Sequence, residues 1–165
     1  MKRAIMITIT LAAAAVLWAG CDGNGGSAEP RSGAWNFTRG EIFDDTCNFA
    51  DPPVDPNGSF SLTNHGDGTL TITPGEQAPF QCSMSGSSFD CPSRADEDIT
   101  VTGIDAAVHV QATAEGSFSS DTACSGHETA NFSCTGTACD AVQTYLGTTF
   151  PCSYSAPFTA VYAGF

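Results

Sequence analysis

The eight cysteines are the residues of this sequence whose spacing says most about chemistry. They stand at positions 21, 47, 82, 91, 124, 134, 139 and 152. No two of them form a Cys-x-x-Cys pair, and the intervals between positions 82 and 152 do not resemble the paired ligands of a zinc site. Disulfide bonds are the favoured interpretation for a chain that reaches an oxidising compartment.

The other candidates for chemistry are three dispersed histidines, His65, His109 and His127. Each could join a serine and an aspartate in a hydrolase triad, but no Gly-x-Ser-x-Gly elbow occurs, so we interpret them as solvated residues. The segment 51–58, DPPVDPNG, hints at a calcium loop, yet its third residue is Pro and no Glu closes it. We interpret it as a turn and the acidic segment 94–98 as a solvated loop. The sequence predicts no catalytic residue, no metal and no cofactor.

The first cysteine follows a segment that is typical of exported proteins. Two basic residues precede an uncharged run of 15 residues, 4–18. This run is shorter than the roughly 20 apolar residues of a spanning helix and suits a secretory signal. Ala19-Gly20-Cys21 then resembles the cleavage box of bacterial lipoproteins, in which the cysteine receives diacylglycerol and becomes the new N-terminus. Trp18 stands where that family usually has Leu.

The resemblance implies that residues 1–20 are a signal peptide and that Cys21 is the site of lipid attachment. The chain would then be anchored in a membrane of the cell envelope, in the periplasm or at the cell surface. A cut before Glu29 by the ordinary signal peptidase would instead release a soluble chain without Cys21. Either route leaves seven cysteines for pairing, so one of them stays free or pairs with another chain.

Charge limits the partners of the mature chain. Loss of residues 1–20 leaves 145 residues with three arginines, no lysine and all 18 acidic residues, a formal charge of −15. Nucleic acid is disfavoured as a partner, because phosphate binding needs clustered Lys and Arg. Residues 21–32 contain no large apolar side chain after the cysteine and predict a lipid-anchored flexible tether. One β domain is predicted over 33–165.

A disulfide can be predicted within the segment 80–91, FQCSMSGSSFDC. With a two-residue turn at Gly86-Ser87, Cys82 faces Cys91 and every apolar residue falls on one face. The two cysteines then form a close, non-hydrogen-bonded pair, which suits the short Cβ separation of a disulfide. We therefore predict a disulfide between Cys82 and Cys91. The pairing of the other cysteines stays open.

Alternation of apolar and polar residues predicts further strands. In the segment 58–73, Phe60 would face Ile72 and Leu62 would face Leu70 around a loop at 65–67. Other strands are predicted over 35–43, 99–103, 107–120 with a bulge near Gly116, 129–135 and 152–162. Pro157 in the last strand predicts an edge or a bulge, because proline cannot donate to a ladder.

One segment has helical rather than alternating spacing. Thr137-Ala138-Cys139-Asp140 resembles a capping box and Gly147 supplies a stop, which predicts a short helix over 138–146. With no second helix, the predicted class is all-β with antiparallel meander connections and disulfide staples.

A short motif resembles a known class of barrels. Gly33-Ala34-Trp35, at the start of the first predicted strand, looks like the Gly-x-Trp of lipocalin-like and avidin-like barrels. The resemblance implies an up-and-down barrel. Pro157 argues against a fully paired closing strand, so a two-sheet sandwich stays open beside the barrel.

Two functional classes follow from these patterns. The first and favoured one is a lipid-anchored envelope β-domain that acts as a structural or interaction module without catalysis. The second is a lipocalin-like carrier of a small apolar ligand. Aromatic residues predicted on the inner faces suit both: Trp35, Phe37, Phe80, Phe89, Phe118, Phe132, Tyr154 and Phe158. A cavity above roughly 300 Å³ that opens to solvent would favour the carrier.

Overall fold

A computed structural model describes residues 28–49, 57–75, 78–94, 97–100 and 103–164. Within these ranges the strands are β1 (Gly33–Arg39), β2 (Asn57–Asn64), β3 (Thr69–Thr73), β4 (Phe80–Ser85), β5 (Ser88–Cys91), β6 (Glu97–Thr100), β7 (Ala107–Ser120), β8 (Ala123–Thr135) and β9 (Cys152–Gly164). The helix α1 spans Cys139–Leu146. The predicted signal peptide, the predicted lipid site at Cys21 and most of the predicted turn at 51–58 lie outside the described residues.

Eight of the described strands close into an antiparallel barrel. Strands β1 to β5 pair in succession, β5 pairs with β7, and β7, β8, β9 and β1 complete the ring. Strand β6 lies outside the ring and pairs with the first part of β7, on the edge that β5 uses further along the strand. The predicted all-β antiparallel class with one short helix is confirmed, and the architecture is a barrel rather than a sandwich. It is loosely compatible with a lipocalin-like barrel.

Pro157 does not mark a sheet edge, contrary to the prediction, because β9 is paired with β1 and with β8. The ladder with β1 ends where Arg39 pairs with Phe158, and the Gly40 amide then donates to the Pro157 carbonyl at 2.8 Å. Since the nitrogen and carbonyl of one residue point to the same side of a strand, the missing N–H faces the place where β1 leaves the ladder. A Cβ at residue 40 would lie 2.9 Å from the Pro157 ring, so glycine there makes room for it.

Local chemistry decides the hairpin registers. The hairpin of β4 and β5 has the predicted register, whereas that of β2 and β3 differs from the prediction by two residues, with Leu62 opposite Ile72. The loop is centred on Asp67, whose carboxylate accepts hydrogen bonds from the amide and the hydroxyl of Thr69. This side-chain turn moves the centre of the hairpin by one residue. The same side chains stay on the inner face, because a strand has a period of two.

Strands β7 and β8 form the longest ladder among the described residues, with 14 and 13 residues. Gly116 faces Gly126 across it, and a Cβ on Gly126 would lie 2.8 Å from the Cα of Gly116. The glycine pair therefore lets the two backbones approach closely on the inner side of the barrel. The bulge predicted near Gly116 lies slightly later, between Phe118 and Ser120.

Helix α1 forms nearly where it was predicted but begins differently. Ala138 occupies the N-cap without a side-chain hydrogen bond, so the predicted capping box is absent. The amide and hydroxyl of Thr137 donate instead to the Asp105 carboxylate. Gly147 ends the helix in the left-handed region, with φ of 68°, as predicted. No helix in the described ranges has the length and apolar character needed to cross a membrane.

Three disulfides join described residues: Cys47 to Cys152, Cys82 to Cys91, and Cys134 to Cys139. Cys124 is buried with a free thiol. One apolar cluster surrounds the fully buried Trp35 inside the barrel. A second cluster, around the disulfide of Cys47 and Cys152, joins α1 and the loop 42–49 to the ends of β7, β8 and β9.

Residues 28–32, the last part of the predicted tether, lie against one end of the barrel. The Trp35 indole donates to the Arg31 carbonyl at 3.0 Å, and the Asn64 amide donates to the Ser32 hydroxyl at 2.9 Å. Arg31 also forms an ion pair with Asp121 in the turn between β7 and β8. Ordered structure therefore begins before Gly33, and we call this side the tether end of the barrel.

Candidate functional site

A cavity of about 540 Å³ lies inside the barrel. All eight barrel strands contribute side chains to its wall, together with Ile99 of β6. Its exposed lining residues are Asn57, Ser59, Gly75 and Ile99, which lie where β2 begins, where β3 leads into β4, and on β6. The cavity thus opens at the end of the barrel opposite the tether end.

The space arises from an unequal distribution of side-chain size. Strands β7 and β8 place Ala112, Ala114 and Ala130 on the wall. Each alanine leaves empty the volume that a larger apolar side chain would occupy. Ala112 and Ala130 are paired and almost completely buried. Strands β1 to β5 contribute larger side chains to the wall, with four phenylalanines among them. Small residues facing large ones leave a gap in the middle of the barrel that neither set fills.

The wall of the cavity is mainly apolar and includes eight aromatic residues. Of the eight aromatic residues predicted on the inner faces, seven line it and Trp35 does not, since Trp35 is completely buried nearer the tether end. Phe60, which was not in the predicted aromatic set, also lines the cavity and stacks on Trp35 with ring centroids 6.2 Å apart. Apolar walls with few polar groups are typical of sites for small organic ligands.

An ion pair interrupts this apolar wall. Arg39 of β1 and Glu128 of β8 both line the cavity, and their Nη2 and Oε2 atoms are 2.7 Å apart. Strand β9 lies between β1 and β8, so the ion pair crosses β9. It does so next to Ala156, the small residue that pairs with Glu128 in the β8–β9 ladder. Their side chains are only 15% and 25% exposed. Arg94 is a second cation in the wall, with its guanidinium 5.0 Å from the centre of the Phe80 ring.

Two buried titratable groups also line the cavity. Burial raises the pKa of the Cys124 thiol to about 11, so this thiol is neutral and unreactive at physiological pH. Burial, and then the nearby Glu128 carboxylate, raise the pKa of Tyr154 to about 12. Tyr154 is 6% exposed and its ring packs 5.6 Å from that of Phe132.

The shift at Tyr154 predicts a loss of stability in alkali. In the folded protein the phenol has a pKa of about 12, against an ordinary value of 10.0. The unfolded chain ionises first, so the free energy of unfolding should fall as the pH rises from 10 to 12. Urea unfolding of Cys124→Ser, which has no free thiol among the described residues to attack the disulfides, should show this slope. Tyr154→Phe in that background should flatten it, whereas Tyr145→Phe, at a position 89% exposed, should not.

The three histidines lie apart from one another, and each contacts a different side chain of the described residues. His65 and His109 bond the hydroxyls of Thr71 and Thr135, at 2.9 and 2.8 Å. His127 lies 3.0 Å from a Glu115 carboxylate oxygen. Within the described ranges, no three His, Cys, Asp or Glu side chains are grouped to hold a metal ion.

A depression of about 580 Å³ lies on the other side of the sheet and is a weaker candidate. It is shallow and bordered mainly by polar side chains of β7, β8 and β9, such as Gln111, Asn131 and Ser153. The cavity inside the barrel encloses a ligand better and offers it apolar walls, so it is the candidate site.

Comparison of the chain with protein-family models, with curated proteins and with solved structures gave no match. Function is therefore inferred from the cavity itself. Sequence reasoning missed the alanines that create the space and the Arg39–Glu128 pair. A signal was present, because β7 places Ala112, Ala114 and Gly116 at successive inward positions, where a filled barrel would have larger apolar residues.

Proposed function

We propose that this protein is an envelope carrier that holds one small apolar molecule inside its barrel. The observation that supports the proposal is the cavity of about 540 Å³, which is open at one end and lined by seven phenylalanines and Tyr154. Its volume lies within the range of roughly 300 to 1,000 Å³ that small-molecule sites occupy.

The cavity favours the carrier over a module that acts only through its outer surface. A surface module would gain stability from a filled interior, because well-packed side chains make more contacts than the walls of a void. Larger residues at Ala112 or Ala130 would supply that filling. The small side chains are therefore better explained by a ligand that occupies the space.

The polar groups of the wall suit binding rather than catalysis. Glu128 is held by Arg39, and the Cys124 thiol is kept neutral by burial. Neither arrangement provides an activated nucleophile beside a general base. The proposed role is non-catalytic, with no cofactor and no metal.

A neutral fluorescent probe tests the carrier. N-phenyl-1-naphthylamine, which fluoresces strongly in apolar surroundings, should bind the purified oxidised protein saturably with one site per chain. Fluorescence that rises in proportion to the probe, without saturation, would count against a ligand cavity and leave the interaction module as the better account.

Anchoring through Cys21 is the second part of the proposed function. Because residues 28–32 join the barrel at the tether end, a lipid at Cys21 would leave the opening of the cavity at the opposite end, on the order of 20 Å away along β2. A bound molecule would then enter from the side that faces away from the anchor.

Labelled fatty acid tests this anchor. The chain expressed with its own N-terminal segment in a bacterium should partition with membranes and incorporate the label, because Cys21 follows a lipobox-like Ala-Gly pair. Cys21→Ser should lose the label and be released or left unprocessed. A mature chain that begins at Glu29 would show that the soluble route operates instead.

A further inference from the structure

A polar cluster in the cavity wall has no role in holding a purely apolar ligand. It consists of Arg39, Glu128 and Tyr154, which belong to β1, β8 and β9 and all line the cavity. Polar groups in an apolar pocket generally fix the orientation of a ligand. The question is which ligand group these three residues would accept.

The ion pair of the cluster is already matched. Arg39 donates to Glu128 across 2.7 Å, and the two charges cancel at short range. A ligand anion placed beside the pair would meet the Glu128 carboxylate and would have to displace it from Arg39. The cluster therefore disfavours an anionic headgroup at this place.

The Tyr154 hydroxyl is the group of the cluster that is left to act. Within the part of the chain that the structure describes, it has no hydrogen-bond partner, although the residue is 94% buried. Its oxygen is not sealed in the wall, because no fully buried side-chain nitrogen or oxygen of the described residues lacks a partner. The hydroxyl of this cavity-lining residue therefore faces the cavity.

The protonation of Tyr154 determines its role. Burial and the negative charge of Glu128 both keep the phenol neutral across the physiological range. A neutral phenol carries a proton that it can donate. An apolar ligand that fills the cavity would leave this donor without an acceptor, which is unfavourable, so a ligand atom that accepts the hydrogen bond gains affinity.

We infer that the cavity takes an apolar molecule bearing one uncharged hydrogen-bond acceptor, such as a ketone, ester or aldehyde oxygen, which the Tyr154 hydroxyl binds beside the Arg39–Glu128 pair. This inference rests on the proposed carrier function and adds the chemical class of the ligand. The aromatic wall holds the apolar body, and Tyr154 selects for the acceptor.

Three matched naphthalenes test the inference by displacement of N-phenyl-1-naphthylamine at pH 7.5. In 2-acetylnaphthalene the body carries a ketone, in 2-isopropenylnaphthalene a CH₂ group replaces the oxygen, and in 2-naphthoate the group is an anion. The ketone should bind roughly threefold to tenfold more tightly than the isopropenyl compound, as expected for one hydrogen bond. It should also bind more tightly than the naphthoate.

Tyr154→Phe removes only the hydroxyl. In this variant the preference for the ketone should vanish, while the affinity for the isopropenyl compound should stay the same and show that the cavity is intact. Tyr145→Phe, on the exposed face of α1, is the matched control and should keep the preference.

The other outcomes overturn the inference in distinguishable ways. Equal binding of ketone and isopropenyl compound in the unmodified protein would leave the carrier but remove the acceptor site. Tightest binding of the naphthoate, unchanged in Tyr154→Phe, would indicate an anion site at another residue such as Arg94. Absence of binding by all three compounds and by the probe would reject the carrier together with the inference.

Discussion

Replacing Cys47 and Cys152 together by Ala should lower the free energy of unfolding by roughly 4 to 5 kcal/mol, the largest stability loss expected from removal of any of the three disulfides. The bond joins residues separated by 105 positions. A cross-link across so long a loop removes much chain entropy from the unfolded state, whereas a short loop removes less. The loss would be a large part of the stability of an ordinary domain.

The Cys47–Cys152 bond also holds the second apolar cluster together. It fixes the loop 42–49 against the start of β9, next to hydrogen bonds between Thr46 and Ser153. Without the bond, these hydrogen bonds, the backbone bonds between Phe43 and Ser155 and the packing of Phe49 on Phe132 must hold the loop in place. We expect the barrel to remain folded near 25 °C, because the cluster around Trp35 does not depend on this disulfide.

The bond of Cys82 and Cys91 is the matched comparison. Its residues are separated by only nine positions, so its removal should cost roughly 2 to 3 kcal/mol. Burial of Phe80 and Phe89 should still hold the hairpin. Urea unfolding of the two double-alanine variants measures both losses. Equal losses in the free energy of unfolding, or a larger loss for the short loop, would contradict the idea that the disulfides stabilise by lowering the chain entropy of the unfolded state.

Ala112→Phe should weaken binding of N-phenyl-1-naphthylamine by roughly 30-fold or more, equivalent to about 2 kcal/mol. Ala112 is 2% exposed and lies in the middle of the small-residue wall, directly opposite Ala130. A phenyl ring at this position has space only in the cavity, so it occupies the volume that the probe needs. The added side chain should fill a void, so the folded state should not be lost.

Gln111→Phe is the control for this substitution. Residue 111 is the neighbour of Ala112 on β7 and its exposed side chain points to the opposite face of the sheet. The same ring placed there should leave the affinity for the probe within about twofold of the unmodified protein. Equal weakening by both substitutions would show that the ring disturbs β7 rather than the cavity.

Much of the fold could be predicted because strand formation depends on local alternation. The hairpin of β4 and β5 is governed by a two-residue turn and one apolar face, and its register was predicted correctly. The β2–β3 register was missed because the Asp67 side chain competes for the Thr69 amide. Such competition involves neighbouring polar atoms rather than hydrophobic periodicity.

Other differences from the prediction arise from contacts between residues far apart in sequence. Thr137 was predicted to cap the helix but donates to Asp105, which lies 32 positions earlier. Pro157 was predicted at an edge but fits a two-sided strand, because Gly40 leaves room for its ring. Thr137 and Asp105 meet through the pairing of β7 with β8, and Gly40 and Pro157 meet through the pairing of β1 with β9, so single-strand reasoning does not find them.

The candidate site was predicted only in its aromatic residues. Inward aromatic positions follow from alternation, and seven of the eight predicted ones line the cavity. Whether they pack tightly or leave space depends on what faces them across the barrel. The meeting of Arg39 and Glu128 likewise depends on β1 and β8 flanking β9.

The central claim, that a ligand binds inside the barrel, is tested most directly by energy transfer from Trp35 to bound N-phenyl-1-naphthylamine. Trp35 is the one tryptophan that follows the predicted signal peptide. Its ring centroid lies 6.2 Å from that of Phe60 and 5.9 Å from that of Phe118, and both of these rings line the cavity. Tryptophan emission overlaps the absorption of this probe. We predict that Trp35 emission falls as probe emission rises, that both saturate at one probe per chain, and that in Ala112→Phe both changes need roughly 30-fold more probe or are lost. Probe emission that rises while Trp35 emission stays constant would place the probe outside the barrel and contradict the account.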